Sequence, residues 1–489
     1  MSLEVERPIH VGILVNGEWK LLGDRIEVRN PARPDEIVGS IGRGSESDVD
    51  AAVAAAKHAQ LKWARLSPLE RAAVLLRALD PLESELDKRA AIYVRENGKT
   101  FNEAKDELQG VPARQRLTLS LADQLSRDLT LPDATGRTWI ARRPYGVVVS
   151  IVPWNSPISL AFSQIVSALL AGNAVVLKPP ETCPLTLIHS AQLVAEALPP
   201  GLLNVITGLP AEIGDRLTSH PDVSKIGFTG SIASARKIAS NAAGTIKGLT
   251  LELGGNDPAL LLEDADLSDA AMERMSAAVF RMSGQICLAI KRIYVHRSMH
   301  QQFMEKFCKT ADRIMVGDGL DPAVTMGPMH TLAARTRAEN LIEDARQRGA
   351  TIQTLGKIRD ERVFRDGFFL RPSVVTDVGD DAPIVAEEQF CPAVPISIYD
   401  DIEEAIERAN STVYGLGGSV WGSDVERAQE IGARLQAGMV WINAHGIAHL
   451  NHLASYGGLK QSGIGRRAGL DGVLEYSQTQ TFTAFEKLT

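Results

Sequence analysis

The sequence predicts an α/β protein of two doubly wound domains, each a parallel sheet with helices on both faces, together with a small β hairpin. Three observations predict it. The chain has 489 residues, too many for a single hydrophobic core. Strands and helices alternate from about residue 146, and a second alternating block begins after Asp266, the pattern of parallel strands joined by helical crossovers. The stretch 128–143, with Pro132, Asp133 and Gly136 at its centre, reads as a hairpin.

The elements follow in order. Residues 1–10 alternate charged and apolar side chains and lack the apolar core of a signal peptide. The apolar run 11–15 is too short to span a bilayer, so a cytoplasmic protein without a membrane partner is expected. Ser67-Pro68-Leu69-Glu70 combines an N-cap, a proline at the first helical position and a capping-box glutamate. Gly146 and Pro153 bound a β-branched run at 147–152, as suits a strand buried on both faces. A helix at 159–170 and strands at 174–177, 203–206, 225–228 and 249–253 continue the first block, with helices near 185–198 and from Ser231. In the second block Asp266 is the expected cap of a helix running to about 280. Strands are expected at 293–296, 393–398, 418–421 and 439–442, and helices near 299–314, 331–348, 402–410 and 424–434. The tail 475–485, rich in Thr and aromatic residues, pairs with the hairpin idea as edge strands open to another subunit.

Composition narrows the function. A net charge of −8 argues against a nucleic-acid surface, which needs clustered Lys and Arg. The four cysteines, at 183, 287, 308 and 391, form no C-x-x-C pair, which argues against a disulfide framework or thiolate metal site and leaves one reactive thiol open. His445, His449 and His452 are spaced like ligands on one helix face, but Gly446 weakens that helix and no nearby acid or thiol completes a set. No metal is expected.

Groups suited to a dinucleotide and to carbonyl chemistry cluster at predicted strand ends. No G-x-G-x-x-G follows any strand, so the usual phosphate-binding fingerprint is missing. Lys178 and Glu181 in Lys-Pro-Pro-Glu could hydrogen-bond ribose hydroxyls, or could equally be a solvated pair beside a proline turn. Gly230-Ser231 ends a strand and opens a helix, a ready phosphate position or simply an N-cap. Glu252 precedes Gly254-Gly255, where a carboxylate can face a cleft against a small turn. Cys287 follows Gly284-Gln285 at a loop junction, a setting for a nucleophile that Cys308, within an amphipathic helix, lacks.

The order of these signals resembles the aldehyde dehydrogenase superfamily. Pro153-Trp154-Asn155, Lys178-Pro-Pro-Glu181, Phe228-Thr-Gly-Ser231, Glu252-Leu-Gly-Gly255, Gly284-Gln-Ile-Cys287 and Glu387-Glu-Gln-Phe390 match its successive signatures, with Asn16-Gly17 and 457–463 at the two ends. The resemblance implies two Rossmann-like domains: an NAD-binding domain from 1–122 and 144–254, and a catalytic domain from 255–455. It also implies an oligomerisation segment from 123–143 and 471–489, building a homodimer or homotetramer. It implies that Cys287 attacks an aldehyde, that Asn155 and the Cys287 N–H hold the oxyanion, and that Glu252 activates water against the thioester. Lys178 and Glu181 would take the adenine ribose, with Ser231, Gly230 and Trp154 near the pyrophosphate. Gly254 would let a bound cofactor approach closely; Glu388 would hold the nicotinamide ribose and Phe390 flank the ring. Glu181 favours NAD over NADP, since a carboxylate repels a 2′-phosphate.

The chain departs from the family pattern in places. Ala235 stands where a Gly is frequent, Cys391 where Gly is usual, Ser156 and Ser163 where aromatics are common, and Tyr456 where a Phe is frequent. Ser156, Ser163 and Tyr456 imply a wider or more polar pocket and an aromatic or otherwise bulky aldehyde. Ala235 bears on the approach to the pyrophosphate, and Cys391 is a bystander thiol or an oxidation liability. A CoA-acylating enzyme has no need of a hydrolytic base, so Glu252 argues against that alternative. A catalytically silent binding protein is disfavoured by Cys287, Glu252 and Asn155 together.

Overall fold

The computed structural model describes residues 8–132 and 136–485. Asp133, placed at the hairpin centre above, lies outside the described residues.

Five parallel strands form the heart of an eight-stranded sheet: Val147–Ile151, Ala174–Lys178, Leu203–Val205, Val223–Thr229 and Gly248–Glu252. Val147, Val148 and Val149 are fully buried, the continuous apolar run that a sheet covered on both faces requires. The chain lays the strands beginning at 174 and 203 on one side of Val147–Ile151 and those beginning at 223 and 248 on the other. This reversal opens a crevice beyond the carboxyl ends of Val147–Ile151 and Val223–Thr229, the position where such sheets take ligands. At one edge, Ile13–Val15 and Glu18–Lys20 pair antiparallel. Asn16 and Gly17, at φ 53° and 82°, make the tight turn whose twist suits a hairpin.

A second, seven-stranded sheet runs in the order Thr351–Thr354, Ser373–Thr376, Ala393–Tyr399, Ile290–His296, Asp257–Leu261, Gly417–Trp421, Met439–Ile442. Only the edge strand Thr351–Thr354 is antiparallel to its neighbour. A third sheet places Arg137–Pro144 between Leu129–Leu131 and Ser477–Ala484, with Trp139 stacked on Phe482 at 4.9 Å. The hairpin and tail expected from the sequence therefore share one sheet, whose edges are Leu129–Leu131 and Ser477–Ala484.

Some elements differ from expectation for physical reasons. The strand Asp257–Leu261 was hidden by Asp-Pro, a turn-like dipeptide. Pro258 sits at a register shift in the ladder, where a residue without an N–H is tolerated. The helix after Asp266 spans Asp269–Phe280 and its cap is Ser268, whose hydroxyl accepts from Ala271 N. Asp266 instead accepts from the Ser268 N–H and hydroxyl, orienting that cap. Residues 456–470, which the expected domain boundaries leave unassigned, return to the first sheet, where Gly463–Ile464 pairs antiparallel with Leu251 and Glu252. Ser67 and Glu70 form the expected capping box on Pro68–Leu79.

Candidate active site

Asn155 follows the strand Val147–Ile151 and is buried. Its Nδ2 donates to the Gln285 carbonyl at 3.0 Å, which ties the turn to the segment carrying Cys287. An amide nitrogen has two hydrogens, so one N–H remains for the cavity that Asn155 and Cys287 both line. Below the turn, Lys99 Nζ donates to the Asn155 carbonyl at 3.1 Å and to Glu107 Oε2 at 2.7 Å.

The Cys287 segment leaves the helix Asp269–Phe280 through three residues at positive φ: Met282 at 52°, Ser283 at 57° and Gly284 at 70°. Left-handed conformations at Met and Ser store strain and recur at functional turns. Gly284 has no room for a side chain, since a Cβ would lie 2.7 Å from the Cys391 carbonyl carbon. Lys291 Nζ gathers the Ile286 and Cys287 carbonyls at 2.6 and 3.2 Å, which turns the loop back on itself. Cys287 ends half-buried at the floor of a cavity of about 290 Å³.

Glu252 ends the strand Gly248–Glu252 and lines the same cavity. Burial pushes the Cys287 thiol well above its ordinary pKa, and the Glu252 charge and hydrogen bond push it further. The thiol thus rests protonated against the Glu252 carboxylate. Glu252 also faces Arg467 Nη1 at 3.4 Å, both side chains being buried. No sequence pattern marks Arg467, because only the return of 463–464 onto the first sheet brings it there.

Behind these groups Gly254 and Gly255 let two others close in. A Cβ on Gly254 would lie 2.9 Å from Glu388 Cδ, and one on Gly255 would lie 2.8 Å from the Cys287 carbonyl oxygen. Glu388 Oε1 accepts from the Gly255 N–H at 3.1 Å. Burial pushes the Glu388 carboxyl up to about 7, against the pull of nearby Lys291. Phe390, at φ 52°, meets Trp154 edge-on at 5.9 Å, and Trp154 stacks on His330 at 4.2 Å. His330 is a further residue the sequence did not single out.

The remaining expected groups line the crevice of the first sheet. Lys178 ends its strand in register with Ile151 and its Nζ donates to Glu181 Oε2 at 2.9 Å. Gly230 N donates to the Glu252 carbonyl at 3.1 Å. Ser231 caps the helix Ile232–Ala243 by accepting from Ser234 N, and Thr229 Oγ1 beside it is buried without a partner among the described residues. Ala235 is buried in the core of this half of the molecule, so its methyl group has a packing role. Ser156, Ser163 and Tyr456 line the Cys287 cavity. Cys391 is buried in a separate hydrophobic cluster, its thiol pushed up to about 11 by burial. His445 is buried beside Asp257, whereas His449 is exposed and His452 half-buried. Among the described residues no three or more His, Cys, Asp or Glu side chains are grouped to hold a metal ion.

A thiol, a carboxylate and an amide thus line one cavity beside the crevice of a doubly wound α/β sheet. Comparison with known proteins gives the family. The model of the aldehyde dehydrogenase family matches residues 20–482. The chain is 35% identical over 476 residues to a betaine aldehyde dehydrogenase of Bacillus subtilis (strain 168), covering 96% of each chain. It is 37% identical over 485 residues to a phenylacetaldehyde dehydrogenase of Pseudomonas fluorescens, covering 96% of this chain and 95% of that one. The NAD+ complex of an aldehyde dehydrogenase from Bacillus cereus superposes with a TM-score of 0.92 at 33% identity, over 98% of this chain and 97% of that one. The chain belongs to the aldehyde dehydrogenase family, and it is an oxidoreductase that converts aldehydes to carboxylic acids.

Proposed function

We propose that this enzyme oxidises a bulky or aromatic aldehyde with NAD, through a thioester on Cys287 that water hydrolyses. The observation that carries the reading is the single cavity lined by Cys287, Glu252 and Asn155, with the thiol against the Glu252 carboxylate.

The residues around the crevice fit NAD. Gly254 has no Cβ where one would meet Glu388, and Glu388 presents a buried carboxyl held on the Gly255 N–H. The capped helix start at Gly230-Ser231 suits a phosphate, and Lys178 with Glu181 suits ribose hydroxyls. Trp154 and Phe390 supply ring faces. The Glu181 carboxylate selects NAD over NADP by repelling a 2′-phosphate. When bound, NAD supplies the hydride acceptor.

Cys287 Sγ gives its proton to Glu252 and bonds to the aldehyde carbon. The oxyanion that forms is held by the free Asn155 Nδ2–H and the Cys287 backbone N–H, donors in place before charge develops. After oxidation the carbon stays on Sγ as a thioester. Glu252 passes the thiol proton to solvent and then takes a proton from water. The hydroxide oxygen bonds to the thioester carbon, the C–S bond breaks to release acid and thiolate, and the Glu252 proton restores the thiol.

The larger assignments extend the same reading. The NAD-binding domain comprises 1–122 and 144–254 and the catalytic domain 255–455. The third sheet, with exposed Leu129, Leu131 and Phe485, joins subunits as a homodimer or homotetramer, which light scattering tests. The enzyme works in the cytoplasm; among the described residues no helix is long and apolar enough to cross a membrane.

The decisive experiment follows NADH absorbance with wild type and Cys287→Ala on a panel of aldehydes, without CoA. Turnover by wild type alone supports the reading. A need for CoA would replace it with an acylating enzyme, and NAD binding without turnover would replace it with a silent fold.

A further inference from the structure

One part of the Cys287 cavity lining is polar and ordered along one helix. Ser156, Ser159, Ser163 and Ser167 recur at helical spacing on and just before Pro157–Leu170, and all line the cavity. Met282, Ile286, Leu288 and Leu450 give the apolar part of the lining.

Arg114 stands on the polar side. Its Nη2 donates to Ser159 Oγ at 2.9 Å and more weakly to the Glu107 carbonyl at 3.4 Å. A guanidinium carries five N–H donors, and Nε and Nη1 have no protein partner among the described residues. Its nearest counter-charge, Glu107, is already taken: Lys99 and Tyr93 hold Oε2 at 2.7 and 2.8 Å, and the Ser159 N–H holds Oε1 at 2.9 Å. The other cavity carboxylates are also engaged. Glu103 accepts from the Thr100 and Met282 N–H groups, and Asp106 pairs with Arg281 at 3.0 Å. Arg281 lines the cavity too and its Nε has no partner among the described residues, but its charge is paired with Asp106. Arg114 is the lining arginine without an ion pair among the described residues.

The helix that carries it is shaped for it. Gly110 lies in the middle of Phe101–Leu119, where glycine costs about 1 kcal/mol relative to alanine. A Cβ there would lie 2.8 Å from Arg114 Cζ, so the missing side chain is the space the guanidinium occupies. Ser159 lies in the first turn of the helix that begins two residues after Asn155.

We infer that Arg114 is a specificity-determining residue that binds the carboxylate of an aldehyde acid, its carboxylate a few carbon atoms from the aldehyde group, which narrows the bulky substrates proposed above to ones that bear an acid group. The inference rests on the Cys287 cavity being the site of aldehyde oxidation. A planar guanidinium matches a carboxylate with paired hydrogen bonds, and the apolar part of the lining accepts the carbon chain between the two ends.

The test compares the semialdehydes of succinic, glutaric and adipic acid with their methyl esters, in wild type, Arg114→Met and Arg114→Lys. Wild type should prefer one of the acids over its ester by roughly 10- to 100-fold in kcat/KM, the value of charge-assisted hydrogen bonds. The ratio should fall toward one in Arg114→Met and partly recover in Arg114→Lys. Because a ratio is read, general loss of activity cancels. Equal use of acid and ester by wild type, or a preference that survives Arg114→Met, overturns the inference. If Arg114→Met does not fold, glutarate decides with wild type alone. Competitive inhibition against the ester supports the inference, and absence of inhibition overturns it. Retained turnover in Cys287→Ala would instead refute the reading on which the inference rests.

Discussion

Gly254→Ala is a small change with a large expected effect on cofactor use. The added Cβ would lie 2.9 Å from Glu388 Cδ and closer still to a carboxyl oxygen, well inside contact distance, so the carboxyl must move. Backbone cannot yield easily on the other side, because Glu252 two residues earlier is held in the ladder by Gly463. Moving the carboxyl breaks the 3.1 Å bond from the Gly255 N–H. A hydrogen bond to a charged group contributes roughly 1.5–3 kcal/mol, so KM for NAD should rise roughly 10- to 100-fold. The assay is initial rate against NAD concentration at saturating aldehyde, with quenching of tryptophan fluorescence by NADH as an independent binding measure. Glu388→Ala should raise KM similarly, and the double variant should be no worse than either alone, since the two changes act through one contact. A wild-type KM in Gly254→Ala, or full additivity in the double variant, would refute the reasoning.

Arg467→Leu removes the partner of Glu252 and leaves a buried carboxylate unpaired; kcat should fall by roughly an order of magnitude or more, with partial rescue by Arg467→Lys. Steady-state rates compared with the first-turnover NADH burst read this, and an unchanged kcat would count against the pairing. Glu388 titrates at about 7 when folded, above the unfolded carboxylate value, so the folded state binds the extra proton. Its cost to stability is absent below about pH 4.5 and complete above about pH 7, roughly 3 kcal/mol in all. The cofactor-free protein should therefore lose Tm across that window and Glu388→Gln should flatten the loss, as calorimetry at several pH values would reveal. Burial and the Glu252 charge hold the Cys287 thiol protonated, so iodoacetamide should label it slowly at neutral pH and several-fold faster in Glu252→Gln. Equal labelling rates would mean that the carboxylate does not govern the thiol.

Most of the first sheet was legible because its strands are apolar runs bounded by Gly and Pro, and the residues at their ends carry chemistry on otherwise bare turns. Cys287 and Glu252 stand out for that reason, each beside the glycines of a turn, whereas Asn155 was named through the resemblance to the family. Arg467 and Arg114 were not legible. Arg467 acquires its partner only when 463–464 crosses back to pair with Leu251 and Glu252, a contact spanning more than two hundred residues. Arg114 looks like any charged residue of an amphipathic helix until Gly110 beside it and Ser159 opposite are seen to frame it. The strand Asp257–Leu261 was not among the expected elements, because the Asp257 carboxylate accepts from the Gly417 N–H at 3.1 Å and only the tertiary pairing supplies that donor.

The two proton transfers assigned to Glu252 place opposite demands on one side chain. To take the thiol proton it must lie against Cys287, as it does here; to activate water it must leave room beside the thioester carbon. Arg467 on its far side gives the carboxylate a second charged partner at 3.4 Å, so a shift toward Arg467 need not expose an unpaired buried charge. The two glycines that follow, at 254 and 255, lower the steric cost of that shift. The resting contact with Cys287 and the pairing with Arg467 are then two ends of one short travel. Shortening Glu252→Asp should damage hydrolysis more than acylation, because the shorter carboxylate cannot span both positions. A rate-limiting thioester, seen as a full NADH burst followed by slow turnover, is the expected result; equal loss of burst and steady state would mean that Glu252 serves both steps from one position.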